Sequence, residues 1–184
     1  MKMSKWLRTG AFNEKDEYYT PKILVDAILP YVPDGKIVWC PFDTKDSEFV
    51  HAISNKNKVV YSHIWKGKDF FEYEPPEYDV IISNPPFTRK LEVLNRLYAL
   101  NKPFAMILPL PMLNYQEVGD FFLDKKLQLL IVNKKVSFDG NTASFNNSYF
   151  CSDLLPNDLM FARLKHNNSG KYFVPSRMKK NRQH

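Results

Sequence analysis

The chain alternates short apolar runs with segments in which apolar residues recur every three or four positions. Runs of this first kind predict buried β-strands, and they fall at 36–40, 58–63, 78–83, 104–110, 127–132 and 159–164. The second kind predicts amphipathic helices, at 21–29, 47–55, 90–100 and 112–125. Thr20 is the predicted N-cap of the first helix, with Pro21 at its first position. A polar stretch of about 25 residues before the last strand is predicted to be a loop.

Strands that alternate with helices, most of them apolar throughout, are typical of an α/β sheet covered on both faces. The pattern therefore predicts a Rossmann-like, doubly wound and mostly parallel sheet of about seven strands. The 184 residues suit a single domain with one substantial core. In such sheets ligands bind beyond the carboxyl ends of the strands, so polar residues at these ends are the candidates for function.

Composition sets limits on compartment and on metal chemistry. No apolar run approaches the roughly 18–20 residues of a membrane helix, and the first 30 residues hold no apolar leader segment, so we expect a cytoplasmic protein without membrane contact. Cys40 and Cys151 cannot build a disulfide framework and are expected to be packing residues in a reducing compartment. They have no matching zinc ligands, and we expect no metal.

The excess positive charge lies at one end of the chain. The 26 basic residues exceed the 20 acidic ones by six, and residues 165–184 carry six bases and no acid, so residues 1–164 are neutral. We therefore divide the chain into a main domain, 1–164, and a basic C-terminal tail, 165–184. Clustered cations bind phosphate backbones through counterion release. A solvated terminus without a ligand is the alternative interpretation of the tail.

The sequence "YDVIISNPPFTRK" places an amide, two prolines and an aromatic ring directly after a buried strand. The carbonyl oxygens of Asn84 (side chain) and Pro85 (backbone) are neutral acceptors for the two hydrogens of an exocyclic amine, which frees its lone pair for attack. Pro86 restricts residue 85 to an extended conformation and so fixes the direction of that carbonyl. Phe87 offers a face on which an unstacked base can rest. The loop therefore predicts a preorganised site for methylating a nucleobase amine.

These residues resemble a known family. "SNPPF" after an apolar strand is similar to the catalytic motif of S-adenosylmethionine-dependent amino-methyltransferases, which methylate adenine N6, cytosine N4 or a protein glutamine. "DEYYTP" at 16–21 and "KDFF" at 68–71 resemble the family's cofactor segments. The spellings "WCPFD" and "SYFC" are most similar to EcoRI-type adenine-specific DNA methyltransferases and their small phage-borne relatives.

The resemblance implies a role for each matching residue. Transfer of a methyl group from S-adenosylmethionine to adenine N6 would use Asn84, Pro85, Pro86 and Phe87. The cofactor would be held by Tyr19, Thr20, Pro21, Asp43, Asp69 and Phe70. The implied partner is nucleic acid, DNA more than RNA. The chain leaves no room for the usual target-recognition domain, which implies either low specificity or a partner protein that supplies it.

Several alternatives stay open at this point. The family's glycine-rich loop after the first strand is replaced by the glycine-free "CPFDTKDSEF", and "SHIW", with Ser62 and His63, stands where a ribose-binding acid is expected. Asp43 could instead be a helix N-cap, and Asp69 could cap a loop. The acceptor could be RNA adenine, cytosine N4 or a glutamine amide. The chain could also be a nucleic-acid-binding module that has lost catalysis.

The last candidates are two aromatic residues before the final strand. Tyr149 and Phe150 fall where the family places a ring that packs on the extruded base. They could equally be core residues that close the end of the sheet.

Overall fold

Seven strands form one sheet in the computed structural model, which describes residues 20–138 and 144–164. The strands of the chain, in order, are β1 (Ile37–Cys40), β2 (Lys58–Tyr61), β3 (Val80–Ser83), β4 (Phe104–Pro109), β5 (Gln128–Val132), β6 (Val136–Ser137), β7 (Ser144–Phe145), β8 (Asn147–Ser152) and β9 (Leu159–Ala162). Their order in the large sheet is β2-β1-β3-β4-β8-β5-β9, and β6 pairs with β7 separately. Within the large sheet, only β8 runs antiparallel to its neighbours. The predicted mostly parallel α/β sheet in a single domain is confirmed.

Helices cover both faces of this sheet. They are α1 (Lys22–Ile28), α2 (Glu48–Ile53), α3 (Lys90–Leu100) and α4 (Gln116–Phe122), with short 3₁₀ helices at Leu29–Tyr31, Ile64–Lys66, Phe87–Arg89 and Leu110–Asn114. The apolar residues of α1 and α2 join one buried cluster, and those of α3 and α4 join another. Successive strand residues alternate between the clusters: Val80 and Ile82 of β3 belong to the first and Ile81 to the second. The two apolar layers explain why the central strands are apolar throughout.

The predicted polar loop before the last strand is wrong, because this stretch contains β8. All six residues of β8 are buried between β4 and β5. Asn147, Ser148 and Ser152 interrupt the apolar pattern there, although their side chains are as buried as those of the aromatic residues between them. Strand pairing on both sides thus overrides the polar composition of the segment.

Two helix boundaries also differ from the predictions. Pro21, with extended φ −61° and ψ 138°, is the N-cap residue of α1, so Thr20 does not cap the helix. The segment predicted as one helix over 112–125 is a 3₁₀ helix followed by α4, because Tyr115 between them has extended backbone angles of −84° and 132°. The shorter α4 leaves Leu123 as an exposed side chain beyond its end.

The longest helix among the described residues, α3, has 11 residues, and none of the helices there could cross a membrane. Cys40 and Cys151 are both free thiols with fully buried side chains, which confirms that they are packing residues. Burial raises the pKa of both thiols, and the nearby Asp43 carboxylate raises that of Cys40 further.

Candidate functional site at the carboxyl edge of the sheet

Parallel strands bring several polar residues to one edge of the sheet. β1, β3 and β4 run in the same direction, so the segments that follow them emerge side by side. Asp43 follows β1 and Asn84 follows β3. Asn147 reaches the same edge by another route: it begins the antiparallel β8 and pairs with Pro109, the last residue of β4. The edge where the sequence analysis expected a ligand therefore carries an acid and two amides.

The buried Ser83 hydroxyl joins the loop after β1 to the end of β3. Its Oγ accepts the backbone N–H of Phe42 at 3.3 Å and donates a hydrogen bond to the Asp43 carboxylate. The backbone N–H of Asp43 also donates to the Ser62 carbonyl at 3.2 Å. Asp43 is only 6% exposed, so these partners hold its carboxylate in one place. Because α2 begins after Ser47, Asp43 is not the N-cap of that helix.

The glycine-free loop after β1 is folded through its own polar groups. The Thr44 N–H donates to Ser47 Oγ at 2.9 Å, and the Ser47 N–H returns to the Thr44 carbonyl at 3.1 Å. Such a side-chain turn closes the loop without a residue in the left-handed conformation. This local folding is the physical reason why the segment needs no glycine.

The Asn84 side chain holds an acceptor that has no partner. Its Oδ1 is shielded from solvent and forms no hydrogen bond among the residues that the structure describes. Leaving such a group unpaired costs about 1–3 kcal/mol. Pro85 next to it is buried, and Pro86 is extended with φ −63° and ψ 129° before the 3₁₀ turn that begins at Phe87. The two prolines thus keep a half-buried amide and its unsatisfied oxygen at the end of a central strand.

Arg89, two residues after Phe87, covers an aromatic ring beside the loop. Its guanidinium lies 3.7 Å from the centroid of the Phe71 ring. Its Nε donates to Glu92 at 3.0 Å, and a second donor, Nη2, completes a bidentate pair with the same carboxylate. The hydrogen bond from Arg89 is the main reason why the pKa of Glu92 is lowered. A fixed cation therefore stands next to the Asn-Pro-Pro-Phe loop.

Asp69 lies in a turn that approaches the same edge. Its Oδ1 accepts the Phe71 N–H at 3.1 Å, and its backbone carbonyl accepts the Tyr73 N–H at 2.7 Å. The loop-capping role considered above is therefore present. The other carboxylate oxygen has no hydrogen-bond partner within the described part of the chain, and the residue is 5% exposed. An oriented carboxylate with a spare oxygen fits an amine donor such as the adenine of a nucleotide.

Phe70 is a core residue in this structure. Its side chain is 2% exposed and lies 5.5 Å from Trp39, 4.9 Å from Phe42 and 5.4 Å from Phe71, measured between ring centroids. The expected contact of Phe70 with the cofactor does not fit a ring that is enclosed on these sides. Phe42 and Phe71, which are half-buried, are the aromatic surfaces at this position.

Ser62 and His63 also have structural partners. Ser62 is 2% exposed, and its Oγ accepts the indole N–H of Trp39 at 2.9 Å. His63 is 4% exposed, and its Nδ1 accepts the Trp65 N–H at 3.3 Å. Trp65 itself is 48% exposed, with its ring 4.4 Å from that of His63. Trp65 and Tyr61, the last residue of β2 and 44% exposed, are thus the accessible rings at the end of this strand.

The start of α1 is attached to the sheet by a tyrosine. The Tyr149 hydroxyl donates to the Leu24 carbonyl at 2.8 Å, one turn into α1 from Pro21. Thr20 is 8% exposed and Pro21 is half-buried at the beginning of this helix. Tyr19 lies outside the described residues.

The structure places Tyr149 and Phe150 in the core rather than on a binding surface. Both side chains are 0% exposed, and as neighbours in β8 they belong to opposite apolar clusters. An extruded base has no free ring to pack on at either position. Of the two interpretations left open by the sequence, the structure favours the core role, because β8 lies between two other strands.

Asn147 was not identified from the sequence. It is 4% exposed, and both its Oδ1 and its Nδ2 lack hydrogen-bond partners among the described residues. In the sequence, Asn147 is marked only by its position shortly before "SYFC". Its place at the edge of the sheet becomes apparent once β8 is known to pair with β4. No cluster of three or more metal-ligating side chains occurs within residues 20–138 and 144–164.

Comparison with solved structures identifies proteins that resemble this chain at low sequence identity. No family model matches the sequence, and no curated protein matches it either. A type I restriction-modification system methyltransferase subunit from Streptococcus thermophilus aligns with a TM-score of 0.49 and 12% identity over 89% of this chain and 51% of its own length. A dimethyladenosine transferase from Plasmodium falciparum aligns with a TM-score of 0.39 and 13% sequence identity. This alignment covers 73% of this chain and 61% of the other.

A third likeness is to a predicted O-methyltransferase from Agrobacterium tumefaciens, with a TM-score of 0.45 and 10% identity over 85% of this chain and 92% of the other. The present chain spans only 51% and 61% of the first two proteins. At these scores and identities the likenesses carry no inference about activity, substrate or partner.

Proposed function

We propose that this protein transfers a methyl group from S-adenosylmethionine to the exocyclic N6 of adenine in nucleic acid, DNA in preference to RNA. The observation that carries the proposal is the unpaired, solvent-shielded Oδ1 of Asn84, held by two prolines at the carboxyl end of a central strand. An unpaired buried acceptor destabilises the folded chain, and a substrate amine that donates to it would remove this destabilisation.

Asn84 and Pro85 would bind the amine through its two hydrogens. Acceptors on both hydrogens draw the nitrogen away from conjugation with the ring and leave its lone pair available. The Asn84 oxygen is shielded, so the carboxamide turns about its terminal torsion, which is soft, before an amine reaches it. Phe87, half-buried at the start of the following turn, would support the face of the base. The surplus proton leaves the methylated amine to water, so no general base is needed.

S-adenosylmethionine would supply the electrophilic methyl group. The residues present fit such a ligand: Asp69 has an oriented carboxylate with a spare oxygen, and Phe42 and Phe71 offer half-buried rings beside it. Asp43 would face the cofactor's ammonium group from the end of β1, and the Ser83 hydroxyl holds its carboxylate in place. Thr20 and Pro21 would contribute from the beginning of α1. The contribution of Tyr19 is carried over from the resemblance alone.

The decisive experiment compares wild type with Asn84→Ala. Purified protein is incubated with methyl-labelled S-adenosylmethionine and with DNA or RNA oligonucleotides, and the labelled nucleoside is then identified. We expect N6-methyladenine from wild type and a loss of at least about a hundredfold in Asn84→Ala, as for removal of a preorganised catalytic dipole. Cofactor affinity, measured by calorimetry, should stay the same in the variant.

Asn55→Ala is the matched control, since Asn55 is an exposed amide whose Nδ2 donates to the Ala52 carbonyl at 3.1 Å, outside the site. Turnover retained by Asn84→Ala would refute the role of Asn84. Recovery of the labelled methyl group in N4-methylcytosine or in methylated glutamine would show that cytosine or glutamine, not adenine, is the acceptor. A wild-type protein that binds nucleic acid equally with and without cofactor, and transfers no methyl group, would be a binding module instead.

A further inference from the structure

Unpaired buried polar atoms are concentrated at the carboxyl edge of the sheet. Within the described residues, four buried side-chain nitrogen or oxygen atoms have no hydrogen-bond partner, and three of them belong to Asn84 and Asn147. The fourth is Nε of Arg96 in α3, whose Nη2 donates to the Tyr73 carbonyl at 3.3 Å. Native proteins rarely leave such atoms unsatisfied, and each exception calls for an explanation. A carboxamide in which neither half is paired has no structural role that would explain it.

The strand order shows which side of Asn84 this second amide occupies. Asp43, proposed above to face the cofactor, follows β1, on one side of β3. Asn147 is on the other side, at the start of β8, beyond β4. Two strand spacings, about 10 Å, separate β3 from β8, which is within the span of one nucleobase and its hydrogen bonds. Asn147 therefore belongs to the acceptor side of the edge rather than to the cofactor side.

The chemistry of the edge lacks one component that Asn147 can provide. The oxygens of Asn84 and Pro85 are both acceptors, so they bind the amine but leave the adjacent ring nitrogen of adenine without a donor. The Nδ2 of an asparagine carboxamide is a donor of the kind that a ring nitrogen of adenine accepts. We propose that Asn147 binds the acceptor adenine at this nitrogen, with Nδ2 donating to N1 or N7 while Asn84 and Pro85 hold the two amine hydrogens.

This inference rests on the proposed function and assigns Asn147 to the selection and positioning of the base. Alternation along β8 places Asn147 on the same face as Tyr149 and Cys151, the face covered by α1. The side chain is closed off in this state, so the base reaches it when Asn147 changes rotamer towards the edge. Binding of one adenine then satisfies Asn147 Nδ2 and Asn84 Oδ1, two polar atoms that folding alone leaves unpaired.

The test uses base analogues that keep the amine and lack one ring nitrogen. Wild type and Asn147→Ala are assayed for methyl transfer to oligonucleotides with a single adenine, 1-deazaadenine or 7-deazaadenine. We expect kcat/KM of wild type to fall about tenfold to a hundredfold on one analogue, and that of Asn147→Ala to fall by a similar factor on adenine. Asn147→Ala should then lose nothing further on that analogue, because the contact is already absent.

Stability separates this role from a structural one. Asn147→Ala and the similarly sized Asn147→Leu should melt no lower than wild type, since neither breaks a hydrogen bond. Asn133→Ala is the control: Asn133 Oδ1 accepts the Leu164 N–H at 2.9 Å, so this variant should melt lower with kcat/KM unchanged. Two outcomes would overturn the assignment of Asn147 and leave the proposed function intact. One is that the losses of kcat/KM from Asn147→Ala and from the analogue multiply when the two are combined. The other is that wild type uses adenine and both analogues equally well. Wild type that methylates no adenine would overturn the proposed function as well.

Discussion

Ser83→Ala tests whether the Ser83 hydroxyl holds the two sides of the site together. Ser83 is 0% exposed and makes two polar contacts across the ends of β1 and β3. Its Oγ accepts the Phe42 N–H and donates to the Asp43 carboxylate. The alanine variant removes both contacts without adding volume to a packed site. It leaves the buried Asp43 carboxylate with one donor fewer and the Phe42 amide without its acceptor.

The expected loss of stability follows from these two contacts. A hydrogen bond to a charged group contributes about 1.5–3 kcal/mol and a neutral one about 1 kcal/mol, so we expect roughly 2–4 kcal/mol in total. The free energy of unfolding of a domain is typically about 5–15 kcal/mol, so the variant should remain folded. With a urea dependence of about 2 kcal/mol per molar, the unfolding midpoint should fall by roughly 1–2 M.

Urea unfolding followed by far-ultraviolet circular dichroism measures this shift. Ser54→Ala is the matched control, because the exposed Ser54 Oγ donates to the His51 carbonyl at 2.9 Å and its loss should change stability little. A double-mutant cycle with Asp43→Ala isolates the contact between the two side chains, and we expect a coupling of at least about 1 kcal/mol. An unchanged midpoint in Ser83→Ala, or additive effects in the cycle, would refute the reasoning.

Two further predictions concern charge. Removing residues 165–184 deletes six cations and no acid, so the affinity for nucleic acid should fall. The slope of log K against log salt concentration should become shallower by up to about 5, since each of the six cations contributes about 0.9. An identical slope in the truncated protein would exclude a role for the tail. Burial raises the pKa of Tyr98 to about 12 and raises that of the buried Tyr149, so the folded state retains protons that the unfolded chain loses near pH 10. The stabilisation that these two tyrosines contribute should be complete below about pH 9 and be lost as the pH rises towards 12. A urea midpoint that increases between about pH 9 and pH 12 would contradict the stated burial.

The parts of the fold that depend on local pattern were predictable. The helix expected over 90–100 is α3, Lys90–Leu100, because the spacing of its apolar residues is a property of the segment itself. The parallel strands β1, β3 and β4 were found for a similar reason: they are covered on both faces and therefore read as continuous apolar runs. The position of Asn84 at the carboxyl end of β3 followed directly from those two patterns.

What escaped prediction depends on contacts between distant segments. β8 is buried because β4 and β5 enclose it, and nothing within "NSYFCS" states that. Phe70 and Phe71 are adjacent and chemically identical, and only the packing of Trp39 and Phe42 decides that Phe70 is the enclosed ring. Asn147 could not be recognised as part of the edge before its pairing with Pro109 was known.

The same edge of the sheet contains polar residues of two physically different kinds. Ser83 forms hydrogen bonds within the folded chain, so its removal should lower the midpoint of unfolding. Asn84 and Asn147 carry side-chain atoms that folding leaves unpaired, and their removal should leave the midpoint unchanged or raise it while turnover falls. A loss of stability at Ser83 without such a loss at the two amides is difficult to obtain from nonspecific damage. Such a result would identify the two amides as groups whose partners arrive with the substrate.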